Sequence, residues 1–114
     1  MQECLFCRVV AGELNTELIH SSDNVVAFRD IDPQAPVHLL IVTKEHIESA
    51  RVLTGKHADL AAEIFETAAH LAKANDVDRT GWRLLTNVGA NAGQSVHHLH
   101  FHLLGGRQLG WPPG

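Results

Sequence analysis

Apolar residues at Leu5, Phe6, Val9 and Val10 recur at helical steps, so residues 4–11 read as a short helix with one apolar face, closed by Gly12. Residues 17–21 and 24–30 then read as two strands of an antiparallel hairpin around Ser22 and Asp23. Asp30 to Pro36 must be a loop, because its two prolines cannot sit in a central strand. Residues 38–44, apolar and partly β-branched, predict a buried strand, and 45–53 can add a helical turn. From Thr54 to about Ala74, Leu60, Ile64, Phe65, Ala68, Leu71 and Ala72 recur at three- and four-residue steps. Lys56, Asp59, Glu63, Glu66 and Lys73 take the other side, which predicts one amphipathic helix lying on a sheet. Residues 82–89 and 96–105 complete the pattern as two strands joined by ANAGQS. One main helix without a βαβ rhythm predicts an α+β fold on an antiparallel sheet of about five strands.

Composition narrows the function. A chain of 114 residues, 45% hydrophobic and 19% charged, suits one domain, residues 1–114, with one modest core. A net charge of −4 provides no basic footprint for nucleic acid, so a small ligand is expected rather than a polymer. No targeting pattern opens the chain and no apolar run could cross a membrane, so a cytoplasmic, membrane-free protein is expected. Cys4 and Cys7 form the only cysteine pair, a C-x-x-C that reads as metal ligands or as reduced thiols.

The chemistry concentrates in VHHLHFHLLGG, residues 96–106. Strand alternation puts His98, His100 and His102 on one face, expected to be the more accessible, and His97, Leu99, Phe101 and Leu103 on the other. Such a row is a structural histidine cluster, a zinc site, or a nucleophile with its partners. The preceding GANAGQS can turn backbone N–H groups toward one point and hold a phosphate beside the imidazoles. That favours chemistry at phosphorus.

His98-Leu99-His100-Phe101-His102-Leu103-Leu104 resembles the His-φ-His-φ-His-φ-φ signature of the histidine triad (HIT) nucleotide hydrolases and transferases. The likeness extends to F-x-x-V at Phe6, AFRDIDPQAPVH at 27–38, KEH at 44–46, Asn87 and the closing GGRQLGWPPG, which is similar to the Hint branch of purine nucleoside phosphoramidases. It implies a HIT-like homodimer joined through the main helix and a sheet edge, with Trp111, otherwise a frayed terminal residue, reaching the partner's site. It also implies that His100 attacks the α-phosphorus to form a nucleotidyl-histidine, oriented through its other ring nitrogen by backbone near His98. His102 would face phosphate and leaving group, and His38 would lie behind the triad.

By the same resemblance Asn87, Gly93, Gln94, Ser95 and Val96 lie about the phosphate, Asp30 binds the ribose, and Leu5, Phe6, Val9, Phe28 and Ile31 surround the purine. Leu5 and Val9 read equally well as ordinary core. His97 stands where relatives often carry an aromatic and is expected to pack or face solvent. Cys4, Cys7, His46 and His98 would make a closed, structural zinc site, with no cofactor required for catalysis. The reaction implied is cleavage of the P–N bond of a purine nucleoside 5′-phosphoramidate, or of an acyl-nucleotide, releasing AMP or GMP. Alternatives are a dinucleoside polyphosphate hydrolase, a non-catalytic nucleotide-binding partner protein, and a zinc-dependent hydrolase whose triad holds the metal.

Overall fold

The computed structural model describes residues 4–114. Met1 to Glu3, the head of the N-terminal stretch read above for targeting, lie outside the described residues. In chain order the elements are α1 (Leu5–Val10), β1 (His20–Ser21), β2 (Val25–Arg29), β3 (Val37–Thr43), α2 (Ala58–Ala74), β4 (Trp82–Leu85) and β5 (His100–Gly105). The strands form one antiparallel sheet in the order β1-β2-β3-β5-β4, so the fold is α+β with one long and one short helix. No helix among the described residues is long and apolar enough to cross a membrane.

The alternation of β2, β3 and β5 sends side chains to two apolar layers. On one face Val25, Ala27, Leu39, Ile41 and Leu103 pack against Ile64, Ala68 and Leu71 of α2. On the other, Val26, Phe28, Leu40 and Val42 meet Phe6 and Val9 of α1. Both faces of the central strands are therefore covered, which explains why 38–44 is apolar almost throughout. Gly105 is required at the end of β5, because a Cβ there would stand 3.0 Å from Cβ of Val77.

Several boundaries move from those the sequence predicts. The first hairpin strand, expected over 17–21, keeps only His20 and Ser21. The expected helical turn over 45–53 is a single 3-10 turn at Ala50–Val52, and α2 starts at Ala58 after another at Gly55–His57. β4, expected to reach 89, stops at Leu85, where the Thr86 hydroxyl donates to the His100 carbonyl at 2.6 Å and a side chain takes over from the ladder. β5, expected from 96, begins at His100, because the Leu99 N–H turns away to the Ile47 carbonyl. Two residues assigned to apolar helix faces are exposed: Leu5 on α1, and Phe65 on α2, whose ring stands edge-on to Phe101 at 6.5 Å.

The hairpin is clamped to α2 by one carboxylate. Glu63 accepts from the Ser22 hydroxyl at 2.5 Å, the Asn24 amide at 3.0 Å and the Asn24 side chain at 2.8 Å. The bonds from Ser22 and Asn24 hold its carboxyl below the ordinary value. Glu63→Gln is expected to lose about 1 kcal/mol at neutral pH, a modest figure because the group is near solvent. A depressed carboxyl contributes fully above its unfolded value of 4.5 and loses its effect as pH falls below it. Denaturant midpoints of the two proteins should differ at pH 7 and converge in acid.

Candidate active site

The β3–β5 register builds the site. Leu40 lies opposite His102 and Val42 opposite His100, so His38, two residues back on the same face of β3, meets His102 diagonally. His38 Nε2 and His102 Nδ1 are 2.9 Å apart, and the His100 and His102 ring centres 5.3 Å. Phe6 of α1 sets its ring edge-on to His100 at 4.9 Å and to Phe28 at 5.7 Å. The histidine face, expected to be the more accessible, is in fact covered: His98 is 0% exposed and His100 and His38 each 7%.

Fixed acceptors and donors decide which ring nitrogens carry protons. A carbonyl only accepts, so His100 Nδ1–H donates to the His98 carbonyl at 2.6 Å, and in the neutral ring this puts the lone pair on Nε2. An amide only donates, so His38 Nδ1 accepts from the Gln34 N–H at 3.0 Å and its proton sits on Nε2. That proton faces His102 Nδ1, and the neutral His102 ring then carries its own on Nε2. Asp30 Oδ2 lies 3.4 Å from the same His38 nitrogen, while Oδ1 accepts from the Asp32 amide. The pair of Nε2 atoms thus offers a nucleophile on His100 and a donor on His102.

Asp30, His38 and His102 also converge closely enough to suggest a metal. The donor chemistry opposes it, since the Gln34 amide holds the His38 proton on the nitrogen that would have to be bare. Burial, with further repulsion from His100 and His38, brings His102 down to about 4, Asp30 opposing in part.

His98 belongs to a different cluster. It lies outside β5, so strand alternation does not direct its ring. Its Nε2–H donates to the Thr43 carbonyl at 2.7 Å, which leaves Nδ1 bare toward Cys4 Sγ at 3.3 Å and Cys7 Sγ at 3.5 Å. His46 Nδ1 lies 3.2 Å from Cys7 Sγ, and all four donor atoms fall within 4.8 Å of one another. In tetrahedral zinc coordination, sulfur–nitrogen edges are about 3.6 Å, so these residues fit the ion. Without a metal, burial and then Cys4 push the Cys7 thiol above its ordinary value, while burial pulls His98 down. A dication would favour the thiolate.

The remaining residues divide by neighbourhood. Phe6, Val9 and Phe28 are buried together, whereas Ile31 is 101% exposed beside Asp30. Asn87 is half-buried past the end of β4, and Val96 packs on the α1 side of the sheet. Gly93 adopts φ 81° in the loop, and Ser95 is exposed. Gln94 is spent inside the loop: Oε1 accepts from the Gly89 amide, and Nε2 donates to the carbonyls of Glu48 and Val96. Among the described residues the Ser95 and Val96 amides donate to no protein acceptor, like those of Ala90 and Asn91 in the same loop, so the loop keeps free donors next to the histidines. His97 is exposed, and so is Trp111 at 82%. Gln34 and Thr43 join the site through backbone atoms, which no side-chain pattern reveals.

A family model described as the HIT domain matches residues 11–109. The chain belongs to the HIT family. A crystal structure of a HIT family hydrolase from Legionella pneumophila is 46% identical, covers 98% of this chain and 100% of its own, and superposes with a TM-score of 0.96. The 14 kDa zinc-binding protein of Brassica juncea is 37% identical over 98% of this chain and 100% of its own. The purine nucleoside phosphoramidase of Escherichia coli K12 is 36% identical over 96% of this chain and 92% of its own. The HIT histidines are therefore read as a triad-like active site.

The site has a pH signature. A buried neutral histidine at about 4 takes up its proton later than in the unfolded chain, where the ordinary value is 6.5. Stability must therefore rise with pH between those values, and its acid loss should be smaller in His102→Asn. In ring-carbon NMR the His102 signal should stay at its neutral position from pH 8 down to about 5; a midpoint near 6.5 contradicts the assignment.

Proposed function

We propose that this protein is a HIT hydrolase that cleaves the P–N bond of purine nucleoside 5′-phosphoramidates, or the equivalent bond of acyl-nucleotides, through a nucleotidyl-histidine. The observation that carries the reading is the bond from His100 Nδ1–H to the His98 carbonyl, which leaves Nε2 unprotonated and able to attack phosphorus. The 36% identity to a purine nucleoside phosphoramidase supports the substrate class.

In the proposed sequence His100 Nε2 forms a bond to the α-phosphorus as the P–N bond breaks. His102 Nε2–H hydrogen-bonds the departing nitrogen, which takes its proton from solvent and leaves as the amine, while the phosphorylated His100 ring carries the positive charge. Water then attacks phosphorus, gives a proton back to solvent, and frees His100 and the nucleoside monophosphate. His38 holds the His102 ring in the donating tautomer throughout. Ser95 and Val96 amides receive the phosphoryl oxygens, together with Asn87 and the Gly93 turn. Gln94 shapes that loop. Asp30 takes the ribose hydroxyls, and Phe6, Val9, Phe28, Ile31 and Leu5 the base.

Cys4, Cys7, His46 and His98 are proposed to hold a structural zinc, supported by the fit of the four donors and by the zinc-binding relative. When bound it would tie α1 to the loops beneath the histidines. A homodimer through α2 and the β4 edge, with Trp111 extended to the partner, completes the reading.

Two measurements test it. His100→Ala should abolish turnover of an adenosine phosphoramidate while nucleoside monophosphate still binds; persistent turnover rules out the covalent route. Protein purified without a histidine tag should carry about one zinc per chain, and Cys4→Ser with Cys7→Ser should lose it; a metal-free wild type contradicts the site.

A further inference from the structure

Arg51 is not absorbed by the proposed reaction. It sits on the 3-10 turn Ala50–Val52, whose backbone is anchored when Ser49, 2% exposed, accepts from the Arg51 amide at 3.1 Å. Its guanidinium lies over the loop that precedes the triad, with Nη2 3.1 Å from where a Cβ on Gly89 would stand. Gly89, at φ 85° and ψ 172°, has a backbone that essentially only glycine adopts. Any side chain there would both strain the turn and strike the arginine.

Gly89 is knotted to the phosphate side of the site. Its amide donates to Gln94 Oε1 at 2.9 Å, its carbonyl accepts from the Gln94 amide at 3.1 Å, and Gln94 Nε2 reaches back to the Glu48 carbonyl at 3.0 Å. Arg51 therefore rides on the same unit as Ser95, the next residue after Gln94. In the other direction, Leu85 pairs with His102 at the end of β4, the Thr86 hydroxyl donates to the His100 carbonyl, and Asn87 and Gly89 follow directly in the chain.

Strand order then separates the ends of a substrate. Phe28 and Asp30 lie on and just past β2, His38 stands on β3 and His100 and His102 on β5, and the Asn87–Ser95 loop continues from the opposite edge strand β4. A nucleoside on the β2 side leaves the β4 side to whatever phosphorus releases. There Arg51 makes no ion pair with any described carboxylate, although the chain as a whole is acidic.

We infer that Arg51 selects substrates whose leaving group carries an anion, a carboxylate or a phosphate, beyond the scissile bond. The inference rests on the reaction proposed above and names the chemistry of its leaving group. A planar guanidinium held over a loop of free amides suits either oxyanion through paired N–H donors.

The test compares wild type, Arg51→Ala and Arg51→Lys on two adenosine phosphoramidates, one made from an α-amino acid and one from the matching amino amide. The ratio of kcat/KM for carboxylate over neutral substrate should fall about tenfold in Arg51→Ala, chiefly through KM, with partial recovery in Arg51→Lys. An unchanged ratio together with an ADP preference lost in Arg51→Ala assigns the site to phosphate instead of carboxylate. ADP and AMP binding, measured by calorimetry, supplies that arm without turnover. If both the substrate ratio and the ADP-over-AMP ratio are unchanged, Arg51 is not the selector, whether or not the enzyme turns over. If wild type cleaves neither phosphoramidate but Arg51→Ala still loses its ADP preference, the anion site stands and the proposed reaction falls.

Discussion

The complete burial of His98 is the constraint on which the rest of the site depends. A fully enclosed imidazole must have both ring nitrogens and its backbone carbonyl satisfied, or the fold bears the desolvation cost of each. Thr43 takes one nitrogen, the cysteine pair faces the other, and His100 binds the carbonyl. One residue therefore orients the His100 ring on one side and completes a metal-fitting cluster on the other.

A second consequence concerns how few groups are needed to fix proton positions. One carbonyl settles His100 and one amide settles His38, and the contact between His38 and His102 passes that choice onward. Backbone donors and acceptors are suited to this because they cannot titrate in the range where imidazoles do. Burial and mutual repulsion among the histidines reinforce it by keeping His102 neutral. A tautomer set by geometry and a charge state set by burial agree, which gives the pair of Nε2 atoms distinct roles.

The two apolar layers divide the labour of the sheet. The α2 layer buries Ile41, Leu103 and Ile64 and contains no catalytic group, so it supplies the rigid backing. The α1 layer is thinner and mixes Phe6, Val9 and Phe28 with the histidine face, so the same contacts that hold α1 down also pack against the His100 ring. Helix α1 is only six residues long and could not hold its position by helix propensity alone. Its cysteines, directed at His46 and His98, give it a second attachment.

Local patterns determined much of this protein by themselves. The period of α2, the apolar run of β3, the C-x-x-C and the alternating histidines all express short-range geometry, and His38, His100 and His102 share one face of the sheet as alternation requires. What only tertiary structure decided depends on partners far along the chain. The Leu99 amide meets Ile47 and the Thr86 hydroxyl meets His100, so β5 begins late and β4 ends early. His98 leaves the strand and turns to Cys4 and Cys7, more than ninety residues earlier in sequence. Gln94, whose amide side chain suits a phosphate as well as a loop, is spent on Gly89 and Glu48. Sequence periodicity reports which face a side chain takes within an element. Which polar atom satisfies which is settled only when distant backbone groups compete for the same donors and acceptors.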